Sequence, residues 1–230
     1  MIQEQLSLNI TPRLAYGVEG FALHAGVATI VENIVASLHL DNFFVSYVHG
    51  GARTGKTHLS IYLADRISRL GRFPRLISGE EILQRGESLT PQEQGEVLLV
   101  DDLDRFLLAQ CDEASGPFVR LVEAYRLRAA PILFLATVPM EELPHDGHVM
   151  SRLRAGSAFT ILEPAEDEMR LLIELMAKQR GIRITQRTMS FLLKRLPRSI
   201  PEIESYLQRV EYLSTLFGRS MALDLFADAL

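Results

Sequence analysis

This 230-residue sequence is poor in cysteine, lysine and long apolar runs. A single cysteine, Cys111, excludes a disulfide framework and a cysteine-rich zinc site, and it points to a reducing compartment. The histidines show no HExxH or comparable metal spacing. Positive charge is short as well: 24 Lys plus Arg stand against 29 Asp plus Glu, for a formal net charge of −5. No global positive field is therefore available to hold nucleic acid non-specifically, and any contact with DNA has to be local or borrowed. Only Lys56, Lys178 and Lys194 are lysines. No stretch approaches the roughly 18 uninterrupted apolar residues of a membrane-spanning helix. Met1-Ile2-Gln3-Glu4-Gln5 lacks the basic region of a signal or transit peptide. The expectation is a cytoplasmic protein without a membrane partner. What is present is a chain that is 47% hydrophobic, enough to bury a sizeable core, which excludes wholesale disorder.

Short apolar runs that read as buried strands alternate with stretches of helical spacing. The strands are Phe43 to Val48, around Leu76 to Ser78, Val97 to Val100, Ile132 to Thr137 and Ala158 to Leu162. Helical patterns fall at about 23–38, 57–70, 117–128 and 140–154. Such alternation calls for a parallel sheet covered on both faces. After Glu163-Pro164 the strand signal ends, and helices are predicted at Ala165 to Arg180, Gln186 to Arg195, Ile200 to Phe217 and Ala222 to Ala229. Ser199 and Glu202 stand at capping-box spacing, with Pro201 in the first turn. The expected organisation is a tail over 1–12, an α/β core over 13–163 and a helical lid over 164–230.

Gly50-Gly51-Ala52-Arg53-Thr54-Gly55-Lys56-Thr57 fits GxxxxGK[ST] between a predicted strand and a predicted helix. The glycines allow successive N–H groups to face a β-phosphate, and the helix beginning near Lys56 adds its positive end. Lys56 is placed to reach the β- and γ-phosphates and Thr57 to ligate Mg²⁺. Val97-Leu98-Leu99-Val100-Asp101-Asp102 supplies a buried strand with an acidic pair at its carboxyl edge, where open α/β sheets bind ligands. Asp101 then holds the Mg²⁺ shell and Asp102 orients a water. An acidic pair after a strand also serves as a helix N-cap, and the upstream phosphate loop favours the metal reading.

Gly55-Lys56-Thr57-His58-Leu59, Leu98-Leu99-Val100-Asp101-Asp102 and Ser151-Arg152-Leu153-Arg154-Ala155-Gly156 together resemble the AAA+ ATPase core of the bacterial DnaA replication-initiator family, with spacing that fits across residues 15–230. The resemblance implies a P-loop α/β core with a helical lid, and ADP or ATP with Mg²⁺ on Gly50 to His58. DnaA also carries an N-terminal interaction domain and a C-terminal helix-turn-helix domain, and no residues are left here for either. That is the plan of the Hda-like regulators that inactivate DnaA. Gln5-Leu6-Ser7-Leu8 resembles the peptide by which such proteins bind the DNA sliding clamp: Leu6 and Leu8 can seat in an apolar pocket while Gln5 bonds its rim. DNA contact is then mainly indirect, through the clamp, and a homo-oligomer is compatible.

By the same resemblance Arg152 matches the arginine finger, which stabilises charge on the γ-phosphate of a neighbouring subunit. Its plain alternative is a solvated helix arginine. Two positions depart from the family. Ala136 stands where a polar sensor is expected, leaving Thr137 as substitute, and Pro201 stands at the lid's sensor arginine, leaving Arg198 to compensate. Weak intrinsic ATPase activity is therefore expected. Tyr16 to Phe21 falls where the family packs a loop on adenine. The lid stretch 178–209 is rich in Lys and Arg, readable as a patch for DNA or an acidic partner or as solvated helix faces. The leading expectation is a regulator that docks on the clamp and presents Arg152 to ATP on DnaA. The alternatives are an autonomous ATPase of the helicase-loader type and an ADP-bound clamp adaptor.

Overall fold

The computed structural model describes residues 21–85, 89–109, 115–143, 147–218 and 222–230. Gln5, Leu6 and Leu8, residues 16–20 of the expected adenine segment, and Cys111 lie outside them. Five parallel strands form one sheet in the order β2-β3-β4-β1-β5, where β1 is Val45–His49, β2 Phe73–Ser78, β3 Glu96–Asp101, β4 Ile132–Ala136 and β5 Ser157–Thr160. Helices α1 (Ala25–Leu38), α2 (Lys56–Arg69), α3 (Gly79–Arg85), α4 (Leu103–Ala109), α5 (Ser115–Leu127) and α6 (Gly147–Arg154) surround it.

The period-2 rule of strands sorts the sheet's side chains into two cores. Val97, Leu99, Leu133 and Leu135 join Val48 and the inner faces of α1 and α2. Leu98, Val100, Ile132 and Phe134 point the other way, against Leu103 and Phe106 of α4, Phe118 and Val122 of α5, and Val149 and Leu153 of α6. Burial on both faces is why these strands read as continuous apolar runs. Gly156 lets β5 close against β1, because a Cβ there would meet the Val45 carbonyl oxygen at 2.1 Å.

The remaining helices, α7 (Met169–Gln179), α8 (Gln186–Leu192), α9 (Ile200–Phe217) and α10 (Leu223–Asp228), enclose a third core built on Leu172, Ile173, Leu192, Ile203, Tyr206 and Phe226. The Tyr206 hydroxyl donates to the Phe226 carbonyl at 2.6 Å, tying α9 to α10. Glu168 joins this helical layer to the sheet layer. Its carboxylate accepts from the Ala165 N–H at 2.8 Å and, across the chain, from the Ala25 N–H at 2.6 Å.

Two local expectations are corrected. The helix expected over 140–154 is a 3₁₀ turn, Met140–Glu142, followed by α6, because Leu143 precedes Pro144 and adopts extended backbone at φ −75°, ψ 120°. The capping box at Ser199 does not form: α9 starts there, but the Ser199 side chain makes no cap bond and its carbonyl alone accepts from Glu202 and Ile203. A reciprocal box forms instead at α3, where Ser78 Oγ accepts from the Glu81 N–H at 3.3 Å and a Glu81 carboxylate oxygen accepts from the Ser78 N–H at 3.1 Å. Both α3 and α4, which follow their strands directly, escape the periodicity reading.

Candidate functional site

The strand order places the carboxyl ends of β1, β4 and β3 side by side, and a cleft of about 530 Å³ opens above them, between the sheet layer and the lid helices. That volume lies in the range of small-molecule sites. Ala52, Arg53, Thr54, Gly55, Lys56, Thr57 and His58 form one wall; Asp102, Arg105 and Thr137 lie at the sheet end. The far wall is Phe21, His24 and Val27 before and within α1, with Leu172, Met176 and Gln179 of α7 and Ile200 and Glu204 of α9.

The loop after β1 has the geometry the motif requires. Gly55 is the N-cap of α2 at φ 94°, a left-handed conformation that a side chain would strain. The N–H of Gly50 donates to the Ala136 carbonyl at 3.2 Å, fastening the loop to the end of β4. Lys56 is buried, and its ammonium donates to the carbonyls of Gly50 and Gly51 at 2.8 and 2.9 Å, so the lysine sits inside the loop it serves. Burial holds that ammonium below the usual lysine range, against the opposing pull of Asp102, Asp104 and Asp101.

Thr57 and Asp101, the two residues expected at Mg²⁺, meet directly: the Thr57 hydroxyl donates to Asp101 Oδ2 at 2.7 Å. Burial raises the Asp101 carboxyl, and the Thr57 hydrogen bond opposes the rise. A hydroxyl and a carboxylate at that separation are a fitting hard-oxygen pair for Mg²⁺, which keeps most of its waters. Asp102 adopts left-handed backbone at φ 53°, an orientation that leaves it lining the cleft, with Arg105 3.7 Å away.

Ala136, at the first departure from the family, is fully buried, and its carbonyl serves Gly50. Thr137 does line the cleft, its N–H held by Asp104 at 3.1 Å. Arg198 is not brought to this place. It pairs with Glu166 at 2.6 Å, with more than half of its side chain exposed, and is absent from the cleft wall. Beside Pro201 the lid presents Glu204, which lies 3.6 Å from Arg53 of the loop and 3.5 Å from Arg180. His58 is held below its ordinary value by burial, with Glu204 opposing.

Of the far wall, sequence reasoning named Phe21, the last residue of the expected adenine segment, and missed the rest. Leu172, Met176 and Gln179 follow i, i+4, i+7 spacing, which read only as a generic amphipathic face. His24, also missed, is 6% exposed, and its Nδ1 has no hydrogen-bond partner. Burial lowers its pKa, while Glu168 opposes.

Arg152 lies apart from the cleft, on α6. Its Nε donates to Glu123 Oε1 at 3.1 Å, its Nη2 lies 2.8 Å from the same oxygen, and its Nη1 donates to the His148 carbonyl at 2.9 Å. Arg154 is exposed on another face of the helix. Among the described residues no group of three or more His, Cys, Asp and Glu is arranged to hold a metal on its own, and no helix is long and apolar enough to cross a membrane.

No protein-family model matches the chain. It is 28% identical over 199 residues to the chromosomal replication initiator protein DnaA of Dechloromonas aromatica, a match covering 80% of this chain and 42% of that protein. DnaA of Burkholderia cenocepacia is 26% identical over 223 residues, 89% of this chain and again 42% of the relative. The chain thus spans less than half the length of these curated relatives. Among solved structures, domain III of Thermotoga maritima DnaA superimposes with a TM-score of 0.77 at 14% identity, covering 94% of this chain and 95% of that one. AMPPCP-bound DnaA from Aquifex aeolicus gives 0.67 at 19% identity, over 88% and 67%. The RuvB branch-migration motor of T. maritima gives 0.64 at 17%, also over 88% and 67%. The fold is the AAA+ α/β core with its C-terminal helices, and the sequence similarity runs to the corresponding part of DnaA.

Proposed function

We propose that this chain is a nucleotide-binding regulator of replication initiation that acts on DnaA. In this reading an adenine nucleotide, ADP or ATP, lies in the cleft with its phosphates on Gly50 to Thr57 and with His58 beside them. Mg²⁺ is held by Thr57 and the shell around Asp101, and it neutralises phosphate charge when bound. Asp102 lies on the γ side of the same cleft. With Ala136 and Pro201 at the sensor positions, neither side chain can donate to a γ-phosphate, so intrinsic turnover is slow and the productive chemistry takes place on a partner.

The observation that carries the proposal is the separation of Arg152 from its own cleft. A guanidinium on α6 whose contacts are Glu123 and the His148 carbonyl has no access to the chain's own nucleotide, and an arginine finger supplied in trans needs that placement. Arg152 then stabilises charge on the equatorial oxygens of ATP held by DnaA. The similarity to DnaA over most of the chain supports the partner, since AAA+ subunits of one kind pair finger to cleft. Docking on the sliding clamp is assigned to Gln5, Leu6 and Leu8, and it brings the chain to DNA. Lid, core and tail follow the boundaries at 12 and 163.

The test is hydrolysis of DnaA-bound ATP with clamp-loaded DNA, comparing wild type, Arg152→Ala and a Gln5/Leu6/Leu8 triple alanine variant. Wild type accelerates hydrolysis and both variants lose it, the second together with co-elution on the clamp. Equal stimulation by Arg152→Ala removes the finger and leaves an adaptor.

A further inference from the structure

The arginine assigned to the partner's phosphate is already occupied. Nε and Nη1 of Arg152 each donate a hydrogen bond and Nη2 is in ion-pair contact, so all three nitrogens of the guanidinium are engaged. The two helices that carry the pair are locked together below it by Phe118, Val122, Val149 and Leu153, all buried in one core. The distance between Glu123 and the base of Arg152 is therefore set by packing, and only the side chains can part. The pair sits at the surface, with Arg152 22% and Glu123 39% exposed, so its strength is modest and its opening is accessible.

We infer that Glu123 is a restraint on Arg152: it holds the guanidinium on its own chain until an anion of higher charge replaces the carboxylate. The inference rests on the finger reading given above and adds to it what the finger discriminates. Exchange of partners is a competition between one carboxylate and the group lying opposite. A γ-phosphate carries more charge than a carboxylate and three oxygens, and it takes the guanidinium in a two-pronged contact. A partner holding a diphosphate presents no anion at that position, so Arg152 remains on Glu123 and the complex lacks its central contact. Glu123 thus denies the guanidinium to weaker anions and sets the cost that a γ-phosphate has to meet in recruiting it.

Glu123→Gln keeps the size and removes the charge; Glu123→Asp keeps the charge on a shorter stem. Removing a partly exposed ion pair of this kind is worth roughly a two- to fivefold change. Two readouts are needed. Without any partner, modification of Arg152 by phenylglyoxal, followed by mass spectrometry of its peptide, reports how free the guanidinium is. It should quicken two- to fivefold in Glu123→Gln and less in Glu123→Asp. With ATP-loaded and ADP-loaded DnaA and clamp-loaded DNA, the concentration of Glu123→Gln giving half-maximal stimulation should fall by a similar factor. Binding to the ADP-loaded form, which presents no anion there, should stay as it is, so the preference for the ATP form should widen. ADP affinity and melting temperature, unchanged, certify the fold.

Unchanged phenylglyoxal reactivity, or unchanged preference between the ATP and ADP forms, overturns the restraint. Weaker stimulation by Glu123→Gln that Glu123→Asp restores also overturns it and makes Glu123 a positioning residue. The finger reading fails separately: it falls if Arg152→Ala stimulates like wild type, whatever Glu123 does. If Arg152→Ala is inactive and Glu123→Gln is silent in both assays, the finger survives and the restraint alone is lost.

Discussion

In the cleft, Lys56 is buried and bonded to two backbone carbonyls of its own loop, and Asp101 is fixed by the Thr57 hydroxyl at the end of a central strand. On the α5–α6 face, Arg152 is held chiefly by another surface side chain, Glu123. The first set of charges is positioned by main chain and burial, the second by a pair that solvent can reach. Groups of the first kind can hold a ligand without reorganising, as preorganised sites do. Groups of the second kind can change partners, which is what a contact made in trans demands.

The largest expected effect breaks the comparison at its second member. Arg152→Ala should lower stimulation of DnaA-bound ATP hydrolysis by about 10³- to 10⁵-fold, measured in single turnover, with Arg152→Lys rescuing poorly because an ammonium lacks the planar fork. Arg154→Ala, on another helix face, is the matched control and should stay near wild type. Next, Lys56→Ala should cost at least about tenfold in ADP affinity by calorimetry with Mg²⁺, the loss of one charge-assisted contact. Arg152→Ala should leave that affinity unmoved, since it touches no part of the cleft. Equal losses from both would merge the two regions into one site.

A third change strikes the foundation beneath both. The Tyr125 hydroxyl of α5 donates to Glu96, a buried carboxylate at the start of β3 that also accepts from the N–H groups of Gln92 and Glu93 and lies 3.6 Å from Arg75. Tyr125→Phe removes one of these partners and should cost about 1–3 kcal/mol in urea unfolding. The smallest effect concerns pH. The pKa of His24 is depressed on folding by burial, so in the range just below the ordinary histidine value of about 6.5 the unfolded chain binds the proton more readily. Stability should therefore be full above that value and decline as pH falls through it, with a shallower decline of melting temperature in His24→Gln. A decline that is identical in the variant assigns the titration to His58, which burial depresses in the same direction.

Much of the fold was legible because β3 and β4 are buried on both faces and so appear as unbroken apolar runs, and because α7 and α9 carry long amphipathic patterns. Short α3 and α4 were not, since about two turns of helix fall short of the roughly 11–18-residue window in which a helical period stands out, and the helix expected at α6 was extended back past Pro144. The phosphate loop was legible for a stronger reason: its function is carried by backbone geometry that only glycine at Gly55 permits. The lid side of the cleft was hidden, because Met176 and Leu172 face a cavity with the same spacing that would face a core. Glu123 gave no signal at all. Nothing local distinguishes a glutamate on α5 from any other, and its pairing with a residue 29 positions away depends on how two helices cross.

The Glu168 carboxylate bonds one N–H at the foot of the lid and one at the head of α1, next to His24 and close behind Phe21. Mechanically this ties the lid to a helix that is itself packed on the sheet: α7 cannot swing away until that bridge breaks. The phosphate loop, anchored instead to β4 through Gly50 and Ala136, stays behind. Opening would then part Leu172, Met176 and Gln179 of α7 from a cleft whose α1 side and phosphate loop both remain on the sheet. The Glu168 side chain is thereby the latch that any opening has to release first, while the backbone bond from Gly50 to Ala136 is left untouched.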